Sequence, residues 1–165
     1  MVDADAGWER RIAALWAQLE DHDERDFVAR VDELVAELPA DSAIGLFERG
    51  SALDSTGHSD RAVPLYRAAL DAGLVGERRR RATIQMASSL RNVGEVNEAI
   101  ELLSAEVGAE TDNLDDAVRA FLALALADAG REREAVGVAL AALSSHLPRY
   151  SRSVARYAGA LTGQV

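Results

Sequence analysis

The 165 residues contain no cysteine, which excludes a disulfide framework and any thiolate metal site. Lysine is absent too, so all 18 basic side chains are arginine; a GC-rich genome accounts for that bias without a functional cause. Aromatic residues make up 5% of the chain and proline occurs three times. With no alternation of β-branched residues either, no sheet is expected, and the alanine- and leucine-rich remainder favours helices. Long apolar runs are missing as well. The longest, Ala120 to Ala127, is less than half of the roughly 20 residues that a membrane-spanning helix needs. The opening MVDADAGWERR lacks the basic start and apolar core of a signal peptide, so a soluble cytoplasmic protein is expected, with no membrane partner.

Acid is in excess. A net charge of −10 disfavours unaided binding to nucleic-acid phosphates or anionic lipid, and no nucleic-acid partner is expected. Residues 1–60 carry 15 acidic against 5 basic groups, residues 61–100 carry 4 against 7, and residues 101–165 carry 9 against 6. Only the middle is basic. The length suits one domain with a buried core, or a short solenoid of about three to four repeats.

Glycine supplies the organising pattern. Around Gly57, Gly50 stands seven residues before and Leu53 four before, with Ala62, Val63, Tyr66, Ala69 and Leu70 after. Gly94 has Ala87, Leu90, Ala99, Ile100, Leu103 and Val107 in matching places; Gly130 has Ala123, Leu126, Ala135, Val136, Ala139 and Leu143. The intervals of 37 and 36 residues fall in the range of helical solenoid repeats. Each unit reads as a hairpin of two helices. Gly50, Ala87 and Ala123 are expected to face Ala62, Ala99 and Ala135, so that the paired helices approach closely.

This frame resembles the tetratricopeptide repeat (TPR), and the whole chain resembles a group of small bacterial TPR proteins of unassigned function. The resemblance implies an all-α fold, a right-handed α-α superhelix of about three clear repeats with a degenerate N-terminal helical pair and a C-terminal capping helix. Over one domain spanning 1–165, the pair occupies 5–38, the repeats 42–72, 77–107 and 113–145, and the cap 149–162.

In the leading pair, a helix from Asp5 to Glu20 aligns Trp8, Ile12, Leu15, Trp16 and Leu19, and a second aligns Phe27, Val28, Val31, Leu34, Val35 and Leu38 before Pro39 stops it. Leu15 and Phe27 replace the small residues of later repeats, so packing there should be wider. Asp41 or Ser42 is the expected N-cap of the next helix. Pro64 predicts a late or distorted start for the helix near Ser59. Further helices are expected at 77–92 and 97–106. Thr111, Asp112 and Asn113 offer cap chemistry for a helix ending at Ala129, and its partner runs from Glu132 to Ser145. Tyr150, Val154, Tyr157 and Leu161 form a last apolar stripe, with Arg149, Arg152 and Arg156 on another face, the pattern of a solubilising cap helix.

No catalytic constellation appears, so the chain is read as no enzyme, without cofactor or metal. His22, His58 and His146 are far apart, with no ligand spacing and no carboxylate partner on an opposite helix. His22 and His58 fall in turns and read as solvated. The serines lack a nucleophile-elbow context, and single glycines make no phosphate cradle. Asp115 and Asp116 complement a helix start. The run Glu77-Arg78-Arg79-Arg80-Arg81 reads first as a solvated helix start, although arginines at that end oppose the helix dipole and leave room for a function.

In TPR proteins the leading helices line the concave face. Carried over, the resemblance places Ile44, Phe47, Ser51, Asp54 and Ser55 in a first strip, Arg81, Ile84, Ser88, Arg91 and Asn92 in a second, and Ala117, Ala120, Leu124, Ala127 and Asp128 in a third. It implies a noncatalytic scaffold holding a peptide or protein segment, one with an acidic group fitting best. The strongest peptide-binding candidates are Phe47, Ser51, Arg81, Ile84, Ser88, Arg91, Asn92 and Leu124. Chaperone-binding members use a clamp of lysines, asparagines and arginine; Phe47, Ser51, Ala117 and Phe121 stand at the corresponding places here, which argues against chaperone tails. The alternative is a homodimer or larger self-association through Trp8, Trp16 or the third strip. An enzyme or nucleic-acid binder is the minor alternative.

Overall fold

The computed structural model describes residues 5–109 and 112–163. Among them lie nine α-helices, one 3-10 turn at Leu19–Asp21 and no strand. The helices are α1 (Ala6–Trp16), α2 (Glu24–Val35), α3 (Ala43–Ser55), α4 (Ser59–Asp71), α5 (Gly76–Asn92), α6 (Val96–Glu106), α7 (Asp115–Asp128), α8 (Glu132–Ser144) and α9 (Ser151–Thr162). They form two compact units, residues 1–89 and 90–165, divided within α5. No helix among the described residues is long and apolar enough to cross a membrane.

The three hinge glycines share one turn. Gly57, Gly94 and Gly130 have φ of 81°, 91° and 72°, the left-handed region that costs glycine least. In each turn the glycine amide bonds to the carbonyl three residues back, and the following amide to the carbonyl five back: His58 to Leu53 at 2.8 Å, Glu95 to Leu90 at 2.8 Å and Arg131 to Leu126 at 2.9 Å. This is the Schellman closure of a helix C-terminus. The residue after each glycine is also the N-cap of the next helix, since its carbonyl accepts from Ala62, Ala99 or Ala135. One residue thus ends one helix and starts the next. A fourth such closure ends α4, where Leu74 donates to Ala69 at 3.1 Å and Gly73 to Leu70 at 3.0 Å.

In the first unit, α1 and α2 bury Trp8, Ile12, Phe27, Val31 and Val35. The Trp8 indole donates to the Leu34 carbonyl at 2.8 Å, and Trp16 meets the Phe27 ring edge-on at 5.0 Å. Asp5 caps α1 by accepting from Gly7 and Trp8 at 2.7 and 2.8 Å, and Ser42 alone of the two candidates caps α3. Three boundaries differ from expectation. The α1 helix ends at Trp16 because the chain tightens to three-residue bonds, Gln18 to Leu15 and Asp21 to Gln18. Similar bonds, Glu37 to Leu34 and Leu38 to Val35, end α2 three residues before the expected stop, in keeping with the bar on helical geometry just before Pro39. The α4 helix starts at Ser59 and runs unbroken with Pro64 inside it. The amide that proline lacks would have bonded to the carbonyl of Asp60, an exposed residue of the first turn, so the missing bond costs little there.

The arginine run is not a solvated helix start. Arg80 is buried at 1% exposure. Arg78 bonds Glu9 of α1 through both terminal nitrogens, at 2.9 and 2.7 Å, and Glu48 of α3 through Nε at 3.0 Å. Glu48 is itself buried and accepts from the Trp16 indole at 2.7 Å. A carboxylate taken out of water needs such partners. The run therefore fastens the leading pair to α5, and Glu9 raises the Arg78 pKa further against the opposing effect of burial.

In the second unit, Leu103, Val118, Leu122 and Leu126 are buried. The α7 helix begins at Asp115, later than expected, because Asp112 accepts from the Leu114 amide at 2.7 Å and closes a turn ahead of the helix instead of capping it. Thr111 lies outside the described residues. Val136, Ala139 and Leu143, which the repeat frame places on the packed side of α8, are exposed. The cause is Gly137: a Cβ there would meet Thr162 at 2.7 Å and Leu161 at 2.9 Å, so α8 turns this glycine face to α9. Consequently α9 packs through Ala158 and Leu161, and of its apolar stripe Tyr150 and Tyr157 are open, at 77% and 58% exposure, while Val154 and Leu161 are half-buried.

The six small residues of the repeat frame are buried, and Gly50 adjoins the Tyr66 ring, 3.1 Å from where a Cβ would stand. Replacing Ala99 by Leu should destabilise by about 1–3 kcal/mol through overpacking, read as a lowered melting temperature; an unchanged melt would remove the repeat register. Arg78→Ala leaves buried Glu48 with the indole alone and should cost about 3 kcal/mol in urea unfolding, of which Arg78→Ala with Glu48→Gln should recover part. Acid should also loosen α1. The Trp8 and Gly7 amides hold the Asp5 carboxyl below its ordinary range, and Arg11 does the same for Glu37. Lowered carboxylates stabilise above their ordinary pKa and lose that contribution as pH falls through the lowered values, below about 4. The melting temperature should fall there, and Asp5→Asn should lower it more at neutral pH than in acid.

Candidate functional site

The candidate strips divide between the two units. In the first, the α3 ring of Phe47 is fully buried, beside Tyr66 at 6.3 Å and beneath the Arg81 guanidinium at 5.3 Å. Ser51 is buried and donates to Gln85 of α5 at 3.3 Å, and Ile84 is buried as well. These three residues are packing residues, which revises their place among the ligand contacts. Arg81 and Ser88 of α5 are half-buried and reachable. Arg81 rests on an aromatic face, which orients a cation at little cost in entropy.

Behind this face lies a carboxylate that sequence reasoning placed on the strip without its partners. Asp54 accepts from Ser89 of α5 at 2.6 Å, and from Ser59 and Tyr66 of α4 at 3.4 and 3.5 Å. Burial, reinforced by the Asp54 charge, pushes the Tyr66 phenol far above its ordinary pKa, with Ser51 opposing. The phenol therefore stays protonated and donates. Ser89 is fully buried, so the cluster ties three helices together and presents no nucleophile. Its signal was in the frame: Asp54 and Arg91 both stand three residues before a hinge glycine, where a side chain reaches the neighbouring helix.

In the second unit, Arg91 at the end of α5 donates from Nε to Asp128 of α7 at 2.7 Å. Leu124 is 48% exposed, with exposed Ala120 and Ala127 on the same helix, and Asn92 is exposed on α5. Within each unit the strip members thus divide into a buried group and an accessible one.

The histidines also depart from expectation. His146 places Nε2 2.7 Å from Asp116 of α7, a carboxylate partner on a facing helix. His22 is mostly covered, with Nδ1 2.7 Å from Asp26 and its ring against Phe27. Neither contact includes a second histidine, and among the described residues no three His, Asp or Glu side chains gather as a metal set.

The chain matches the family model described as tetratrico peptide repeat over residues 43–161. Among solved structures it is similar to the nearly identical TPR-like repeats named for a putative kinesin light chain of Podosopora anserina, at 18% identity and a TM-score of 0.73, covering 99% of this chain and 90% of that one. A singly substituted form of those repeats gives 19% identity and a TM-score of 0.71, covering 98% and 90%. No curated protein matches it. At such identities the structural likeness concerns the fold alone, but the family model covers most of the residues, and on that ground the chain belongs to the tetratricopeptide repeat family.

Proposed function

We propose that the chain is a noncatalytic scaffold that holds a protein or peptide segment on the accessible strip of its leading helices, and that an acidic side chain of that segment is taken by arginine. The observation that carries this reading is Leu124, a large apolar residue left 48% exposed in the middle of a leading helix, with Arg91 joined to the same helix through Asp128. Burial of Leu124 against a partner would supply affinity. The Arg91 guanidinium uses one donor on Asp128 and carries five, so its outer edge can fork onto a carboxylate. In the first unit, Arg81 and Ser88 offer the corresponding contacts. Asp54, Tyr66 and Ser89 stay out of the reading because they are engaged with one another.

Self-association is the second reading. Trp8 is buried and Trp16 is committed to Glu48, which leaves the third strip as the surface for it.

The test compares capture of partners from the source cell by the wild type, by Arg81→Glu with Arg91→Glu, and by Leu124→Glu. Capture should fall at least about tenfold in both variants, the effect of losing roughly 1.4 kcal/mol, with the far-ultraviolet circular dichroism unchanged. Undiminished capture by both variants would move the site to another surface.

A further inference from the structure

Leu124 is one of six open apolar residues that the repeat frame brings together on α7 and α8. Counted from Gly130, Ala120, Leu124 and Ala127 stand where Phe47, Ser51 and Asp54 of α3 stand from Gly57; Val136, Ala139 and Leu143 match Val63, Tyr66 and Leu70 of α4. In the first unit this surface is the seat of the next leading helix. Residues of α5 four apart lie along it in order. The Arg81 guanidinium rests over the Phe47 ring at 5.3 Å, Gln85 accepts from Ser51 at 3.3 Å and Ser89 donates to Asp54 at 2.6 Å. In the second unit all six matching residues are exposed, Leu124 at 48%, Val136 at 51% and Leu143 at 48%. The chain does go on beyond α8, but α9 takes the other flank, at Gly137. The matching residue of α4, Pro64, is exposed. The open seat therefore follows from where α9 packs, not from a lack of further chain.

Charge and shape together say what fits there. At the rim, Asp128 is neutralised by Arg91 at 2.7 Å, Arg131 by Glu134 at 2.7 Å, and Asp116 by Arg119 at 3.5 Å with His146 at 2.7 Å. Glu132 and Arg133 are exposed without an ion pair among the described residues, and one cancels the other. Two such faces meet without like-charge repulsion, although the protein as a whole carries −10. Each row also alternates large and small, Ala120–Leu124–Ala127 and Val136–Ala139–Leu143. The seat thus offers both the knobs and the hollows that a self-complementary contact needs. Where the first unit has the Phe47 and Tyr66 rings, Ala120 and Ala139 leave room for leucines of a second copy.

We propose that the open seat on α7 and α8 pairs with the same seat of a second copy, giving a twofold dimer that covers Leu124. The six side chains and their rim bury on the order of 1,000 Å² in all, the lower end for a specific interface. Dimerisation therefore belongs at roughly tens to hundreds of micromolar. Because Leu124 is shared, the dimer and the partner segment exclude each other, and self-pairing limits capture at high concentration. That exclusion rests on the scaffold reading; the dimer itself does not.

Sedimentation velocity of the full chain, from about 5 µM to about 0.5 mM, tests it. The wild type should pass from monomer to dimer and stop there, since a twofold contact closes on itself. Its dissociation constant should change less than about threefold between low and high salt, because apolar burial is not screened. Val136→Glu, Leu143→Glu and Leu124→Glu should each weaken dimerisation at least about tenfold, with helicity unchanged because all three side chains are exposed. Tyr157→Glu on α9 should dimerise like the wild type. A wild type that stays monomeric at the top of that range would overturn the proposal, as would growth beyond the dimer, its loss in high salt or a monomeric Tyr157→Glu. Capture separates the two readings. Leu143→Glu leaves the strip intact and should capture the partner segment at least as well as the wild type; if it loses capture, the mutual exclusion is wrong. Capture undiminished in Leu124→Glu sinks the scaffold reading and leaves the dimer standing, whereas a monomeric wild type does the reverse.

Discussion

The structure depends on a single residue between paired helices. His58, Glu95 and Arg131 each donate an amide to close the helix behind and offer a carbonyl to open the helix ahead. Their side chains differ completely and none makes a capping hydrogen bond, so the constraint lies in the backbone, with φ and ψ near −104° and 54°, −86° and 53°, and −106° and 46°. Only glycine enters the preceding left-handed position cheaply. With the pivot this short, the helices leave it almost touching, and the residues nearest it, Ala62, Ala99 and Ala135, must be small.

Farther from the pivot the helices are free to carry larger groups, and there the repeats diverge. Tyr66 fills the space that Gly50 leaves open. The leading pair has no such pivot; the chain passes from α1 to α2 through a 3-10 turn and relies on side chains for its attachment. Trp8, Trp16 and Arg78 supply it, each by a hydrogen bond to a group that is otherwise buried or turned inward. Such an attachment is specific in direction but sensitive to the loss of one partner. This explains why the buried Glu48 and the arginine run occur together.

The hinges, helix pairing and most of the core were legible in the sequence because glycine spacing and apolar periodicity report local backbone geometry. What was not legible depended on neighbours distant in sequence. Arg78 looked like part of a solvated run until Glu9, 69 residues away, came within 2.7 Å. His146 had no visible partner because Asp116 is 30 residues off. The period of α9 marked its apolar stripe, but not that Leu161 would meet Gly137 of α8 while Tyr150 and Tyr157 stay open. Periodicity identifies an apolar face; it does not say whether the protein supplies its cover.

The same limit applies within the strips and is informative about function. Ser51, Ser88 and Leu124 each stand six residues before their hinge glycine, yet the first is buried, the second half-buried and the third about half exposed. Ser51 is covered by α5, through Gln85. If packing alone set these residue types, the leucine would sit where cover is complete and a serine where it is not. The order is inverted. A buried serine is tolerable because Gln85 satisfies its hydroxyl, but an open leucine gains nothing within its own chain. That inversion is what supports the proposed use of Leu124 as a contact for a partner.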